Sequence, residues 1–180
     1  DRVMIIGGGP LGAIHAELAK ALGAEEVIIS EISKDRIELL SRLSDITIIN
    51  SLEEDIEKII KNKTNGIGVD VVIVCAPALK AHQESIKYVR KGGTINFFAS
   101  LSRGSSEICF DSRTIHYGEI KIIGVSDSRP EHVKKAVQLM TNGDIDLISI
   151  ITHKIPLTDF QKGIELMKNK ETLKILVFPE

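Results

Sequence analysis

Apolar and polar positions along the chain fall into two alternating rhythms. Short apolar runs, "VMIIG" (3–7), "EVIIS" (26–30), "ITII" (46–49), "VDVVIVCA" (69–76) and "TINFFAS" (94–100), predict strands. Between them, apolar residues recur every three or four positions and predict helices over 10–22, 34–43, 53–62 and 78–90. Pro10 suits an early helical position, where no N–H is needed, and the pair Gly92-Gly93 is read as the end of the fourth helix. The unbroken apolar character of 69–76 suits a strand covered on both faces. Strand and helix in strict alternation predict an open, mostly parallel sheet with helices on both sides.

The rhythm changes after residue 100. "SRGSS" reads as a loop and "EICF" (107–110) as a short edge strand. "EIKIIGV" (119–125) is a strand, and a helix starts at Pro130 and runs over 130–140. A strand in "LISIITHKI" (147–155), a helix over 158–169 and a last strand "LKILVF" (173–178) follow. The predicted fold class is therefore α/β, a Rossmann-type doubly wound, six-stranded, mostly parallel sheet with a C-terminal return segment. The expected division is a core over 1–126 and a helix-and-strand segment over 127–180.

Composition narrows the function. A chain of 180 residues that is 43% hydrophobic can bury a real core. A net charge of −2, with basic residues dispersed, gives no nucleic-acid patch and no membrane-surface helix. No apolar run is long enough to span a bilayer. Cys75 and Cys109 have no metal-ligand spacing and are read as reduced thiols in a cytoplasmic protein. The chain opens on Asp1-Arg2 and passes straight into a strand, which reads as a piece of a longer protein.

The candidate chemistry lies in "IIGGGPLGAIHAELAKALGA", where Gly7, Gly9 and Gly12 have the spacing G-x-G-x-x-G. Gly7 permits a tight turn, Gly9 lets a pyrophosphate approach the backbone, and Gly12 lets the helix pack close to the strand. The helix start offers free N–H groups and the positive end of its dipole. Glu31, at the tip of the second strand, can accept hydrogen bonds from ribose hydroxyls and would repel a 2′-phosphate, favouring NAD over NADP. The alternative is that the glycines serve only the turn and the packing. A glycine-rich loop and an acid after the second strand also occur in methyltransferases that bind S-adenosylmethionine, with looser glycine spacing. Tyr117-x-x-x-Lys121 matches the catalytic pair of short-chain dehydrogenases, but "YGEIKIIGV" reads as the approach to a strand, so the match is taken as coincidence.

Taken together, "DRVMIIGGGPLGAIHAELAKALGA", "VIISEISKDRIELL", "GVDVVIVCA", "VRKGGTINFFAS", "TIHYGEIKIIGVSDSRPEHVKKAVQLM", "ITHKIPL" and "ETLKILVFP" cover nearly the whole chain. In this order they resemble the C-terminal, NAD-binding half of the zinc-dependent medium-chain alcohol dehydrogenases, of the sorbitol/polyol or threonine dehydrogenase type. The resemblance implies that Gly7, Gly9, Pro10, Leu11 and Gly12 form the pyrophosphate loop. It implies that Glu31 binds the adenosine ribose with Arg36 beside it. Cys75 and Ala76 would line the channel toward the nicotinamide. Phe98, Ala99 and Ser100 would lie along the nicotinamide side, and Lys174 would reach back to the pyrophosphate. It further implies a parent enzyme that oxidises a secondary alcohol, a polyol or a threonine-like substrate, to a ketone. The catalytic zinc of that parent would sit on an N-terminal domain, and the segment from 127 would complete that domain.

No catalytic residue and no metal ligand is assigned within this chain, which is expected to bind NAD and to be inactive alone. His15 is read as packed or superficial, His82 and His132 as solvated, His116 as lying near a subunit contact, and His153 as structural. An apolar edge near "SEICF" and the resemblance together imply a homodimer through residues 105–125. The expected partners are the dinucleotide and a small alcohol, with no nucleic acid and no membrane. A stand-alone NAD-sensing or regulatory module is the other function this sequence allows.

Overall fold

The computed structural model describes residues 1–179. Six strands, β1 (Arg2–Ile6), β2 (Glu26–Glu31), β3 (Thr47–Asn50), β4 (Val69–Val74), β5 (Val89–Phe97) and β6 (Lys121–Gly124), form one sheet in the order β3-β2-β1-β4-β5-β6. Every neighbouring pair in it is parallel. The strand order reverses direction at β1/β4, as a doubly wound sheet requires.

Side chains alternate across β1 with a period of two, and so feed two cores. Val3 and Ile5 join Val27 and Ile29 on one face, while Met4 and Ile6 join Ile28, Val72 and Val74 on the other. Met4, Ile5, Ile28 and Ile29 are fully buried, which stabilises the fold by about 1.5–3 kcal/mol for each side chain. Helix α1 (Pro10–Ala21) turns Gly12, Ala13, Ala16 and Ala19 toward the first core, and these small residues let it approach the sheet closely. α2 (Lys34–Leu40) contributes Leu40 to the same face, and α3 (Ile56–Lys63) contributes Ile60 to the other. The Asp55 side chain caps α3 by accepting the Lys58 N–H at 3.0 Å.

Three expectations are corrected here. The fourth helix is short: α4 (Leu79–Glu84) passes into a 3-10 turn (Ser85–Lys87), and β5 already begins at Val89. Gly92 and Gly93 therefore lie inside the strand, where the pairing with β4 shifts register between Val69 and Val71. Gly92 takes φ +72, and a Cβ on Gly93 would come within 2.9 Å of the Asp70 carbonyl oxygen, so the glycines mark a bulge and not a helix end. Residues 107–110 form no strand, because β6 occupies the place beside β5. "SRTIHYG" is helical: α5 (Ser112–Gly118) starts on Asp111, whose side chain accepts the Arg113 N–H. Tyr117 thus lies in the last turn of α5 while Lys121 opens β6, and the two do not share a helical face.

The C-terminal segment holds α6 (Pro130–Thr141), β7 (Ile151–Pro156), α7 (Phe160–Lys168) and β8 (Lys174–Phe178). β7 and β8 pair parallel in a sheet of their own. Ile150 and Leu173 pack into the core on the α1 face of the large sheet. α6 buries none of its residues and presents Val133, Val137 and Met140 to solvent.

Candidate functional site

A cavity of about 640 Å³ opens at the carboxyl ends of β1, β2 and β4, beside the point where the strand order reverses. That is where open α/β sheets bind ligands, and the volume is that of a small-molecule site. Gly7, Gly9, Pro10, Leu11, Gly12, Glu31, Arg36, Cys75 and Ala76 all line it.

The loop from β1 to α1 depends on its glycines for separate reasons. Gly7 has φ +103, and a Cβ there would stand 2.9 Å from the Ala76 backbone nitrogen. A Cβ on Gly12 would overlap the Gly7 carbonyl oxygen, so only glycine lets α1 leave the loop this closely. Gly9 differs: the nearest atoms to its Cβ position belong to the Arg36 guanidinium, at 3.6 Å and beyond. Gly9 is also the N-cap of α1, which carries Pro10 in its first turn, no side-chain cap and no acidic residue there. The helix dipole and the open N–H groups therefore meet no competing anion from the first turn.

Glu31 is buried and held on both oxygens. Oε2 accepts the Gly8 N–H at 2.8 Å, and Oε1 accepts the N–H groups of Ile32 and Ser33 at 2.8 and 2.9 Å. Arg36 Nη1 lies 3.9 Å from Oε2, while Arg36 Nε is buried with no hydrogen-bond partner. An unpaired buried guanidinium N–H beside a cavity is a donor awaiting an acceptor.

Burial pushes the Cys75 thiol up to about 12, so this cavity residue is not a thiolate nucleophile. Tyr88, also in the wall, is raised to about 12 by burial and by Glu84, Glu57 and Asp55.

Four predicted residues lie outside the cavity wall. The Phe98 and Ala99 N–H groups both reach the Val74 carbonyl, at 3.2 and 2.9 Å, which places this loop at the same sheet end beyond β5. Ser100 Oγ donates to the Leu101 carbonyl. Lys174 sits exposed on β8. Sequence reasoning missed Lys80, Glu84, Tyr88 and Lys170, which do line the cavity. Lys170 follows α7 in a left-handed conformation, φ +63, four residues before the lysine that was singled out.

His82 is the clearest departure among the histidines. It is buried, with Nδ1 3.0 Å from the Ala78 carbonyl oxygen and Nε2 3.0 Å from that of Ala99. The amphipathic pattern of its helix predicts a solvated ring, but the ring packs on Phe97 instead. His15 meets the Phe98 ring edge-on at 4.4 Å, and burial lowers its pKa. His132 is exposed and closes the first turn of α6 by accepting the Arg129 N–H.

Among the described residues no three His, Cys, Asp or Glu side chains gather to hold a metal ion. No helix of the described residues is long and apolar enough to cross a membrane.

The zinc-binding dehydrogenase family matches the chain over residues 10–142. The chain belongs to that family. This zinc-binding dehydrogenase chain is 33% identical over 180 residues to an L-threonine 3-dehydrogenase of Caldanaerobacter subterraneus, with 98% of the chain and 51% of the relative covered. It is 29% identical over 185 residues to a sorbitol dehydrogenase of Halalkalibacterium halodurans, covering 99% and 52%. It therefore spans about half the length of these relatives. A crystal structure of a putative zinc-binding dehydrogenase from Sinorhizobium meliloti, bound to NADP, superposes with a TM-score of 0.85 at 26% identity, covering 99% of this chain and 52% of that one.

Proposed function

We propose that this chain is the NAD-binding part of a dehydrogenase that oxidises a secondary alcohol, of the polyol or threonine type, to a ketone. One observation carries the reading: the three-glycine loop, the uncapped start of α1 and the buried Glu31 converge on one cavity at the strand reversal. Gly7, Gly9, Pro10, Leu11 and Gly12 hold the pyrophosphate against backbone N–H groups. Glu31, already fixed by three N–H donors, keeps acceptor capacity for a ribose hydroxyl and sets a negative charge where a 2′-phosphate would sit. Arg36 Nε supplies the free donor beside it. Cys75 and Ala76 form the wall toward the far half of the dinucleotide, and the loop of Phe98, Ala99 and Ser100 borders that half. The bound nicotinamide supplies the hydride acceptor, and the residues of this chain orient it and exclude water.

Among the described residues no three His, Cys, Asp or Glu side chains gather that could hold zinc. The zinc of the family belongs, in this reading, to the half of the relatives' length outside this chain. Residues 127–180 form the segment that completes that half, which accounts for the bare apolar side of α6. The chain alone then binds dinucleotide without turning over alcohol. β6 is an open sheet edge with Ile123 exposed, and Val125 just beyond its end is exposed too, which supports a homodimer through residues 105–125. The cytoplasm, where both thiols stay reduced, is the setting this reading implies.

Titration of the chain with NADH and NADPH, followed by nicotinamide fluorescence, tests the reading. Saturable NADH binding about tenfold tighter than NADPH is expected. No binding of either, or tighter binding of NADPH, overturns it. NAD-dependent polyol oxidation by the purified chain overturns the inactivity of the chain alone.

A further inference from the structure

His82 bridges two parts of the molecule that its own helix does not join. Nδ1 meets the Ala78 carbonyl, in the wall of the cavity, and Nε2 meets the Ala99 carbonyl, in the loop that follows β5. Both contacts are 3.0 Å, the ring is buried, and Phe97 packs on it at 4.8 Å between centroids. Both oxygens are acceptors only, so each bond needs a proton on the facing nitrogen. The two contacts are not equal in consequence. The Ala78 carbonyl also accepts the His82 backbone N–H at 3.2 Å, as part of the α4 ladder. The Ala99 carbonyl has the ring.

We propose that His82 is a positioning residue that fixes the 98–100 loop against the cavity wall, and so sets where the nicotinamide half of the dinucleotide rests. The inference rests on the dinucleotide reading above. The adenosine half lies against Glu31, Arg36 and the glycine loop, none of which touches the ring. The clamp therefore acts on one half of the ligand. His15, edge-on to Phe98, supports the same loop from α1 but makes no hydrogen bond to it.

The two nitrogens can be tested separately, because Gln places an amide nitrogen near the position of Nε2 and Asn places one near that of Nδ1. The probes are NADH and ADP-ribose, measured by calorimetry on the full chain. In His82→Gln the donor to Ala99 survives, and the ratio of NADH to ADP-ribose affinity stays within about twofold of the unaltered chain. In His82→Asn that donor is lost, and NADH binding weakens about tenfold while ADP-ribose binding holds. Equal behaviour of the two variants overturns the clamp. Failure of the unaltered chain to bind either probe overturns the dinucleotide reading, and the clamp with it. Nitrogen-detected NMR of the His82 ring in the unaltered chain decides the matter without a variant. A proton on Nε2 shared with Ala99 supports the clamp, and a bare Nε2 overturns it.

Discussion

The Glu31 carboxylate accepts the Gly8 backbone N–H at 2.8 Å, and so ties the end of β2 to the loop that leaves β1. The same carboxylate takes up the N–H groups of Ile32 and Ser33. Glu31→Ala leaves three donors without their acceptor and is expected to cost about 3 kcal/mol of stability, read from urea unfolding. Glu31→Gln keeps the shape but turns one oxygen into a donor facing an N–H. It should cost less than the alanine variant while narrowing the preference for NADH over NADPH.

Two glycines three residues apart should behave in opposite ways. A Cβ on Gly12 meets the Gly7 carbonyl, so Gly12→Ala must push α1 off the sheet and should cost about 1–3 kcal/mol. A Cβ on Gly9 meets only the Arg36 guanidinium at ordinary contact distance, and its φ of −72° suits any residue. Gly9→Ala is therefore expected to unfold within about 0.5 kcal/mol of the parent chain yet bind NADH about tenfold more weakly. Unchanged affinity would mean that the pyrophosphate does not approach this backbone.

What the sequence made legible follows from how local each signal is. The β1–α1–β2 unit was readable because turn, helix start and acid lie within one stretch, and each glycine has its own steric cause. The end of α4 was misread because Gly92 and Gly93 look like a helix stop, whereas a bulge against β4 holds them inside β5. α5 was missed because "IHYG" has strand-like residues, although Asp111 ahead of it is a good cap. His82 and Lys170 were out of reach: only the folded chain brings Ala99 to one and the cavity to the other.

The thiols should separate cleanly. Burial pushes Cys75 up to about 12, while Cys109 is exposed. At pH 8 only about one in ten thousand Cys75 side chains is then a thiolate. One thiol per folded chain is expected to react rapidly with a disulfide reagent, and Cys109→Ser should abolish that rapid phase. A fast phase that survives in Cys109→Ser and is slowed by NADH would show Cys75 to be open.

His15 gives the stability a pH dependence of defined sign. Burial lowers its pKa in the folded chain below the ordinary 6.5. Between those two values the unfolded chain binds a proton that the folded chain does not, so stability falls as pH drops below about 6.5 and recovers above it. His15→Gln has no such proton to take up. Its urea midpoint, relative to the parent chain, should rise as pH falls through this window. Parallel midpoints would show that the ring titrates alike in both states.

Lys170 is expected to show stability and binding moving in opposite directions. Four helices end with the same pair of backbone bonds around a left-handed residue. After α1 the residue is Gly23, with its N–H on Lys20 and that of Ala24 on Ala19; after α6 it is Gly143, with its N–H on Met140 and that of Asp144 on Leu139. After α5 the bonds run from Glu119 to His116 and from Ile120 to Ile115, and after α7 from Lys170 to Met167 and from Glu171 to Leu166, but in both the left-handed residue carries a side chain. A left-handed lysine costs about 1 kcal/mol that glycine does not. That side chain lines the cavity, where a dinucleotide would bring two phosphate charges. Lys170→Gly should therefore raise stability by about 1 kcal/mol and weaken NADH binding about threefold to tenfold, with a shallower salt dependence. Lys170→Ala should lose the affinity without the gain in stability. If both variants bind NADH like the parent chain, the lysine is a surface residue that happens to border the cavity, and the phosphates are held by the glycine loop and Arg36 alone.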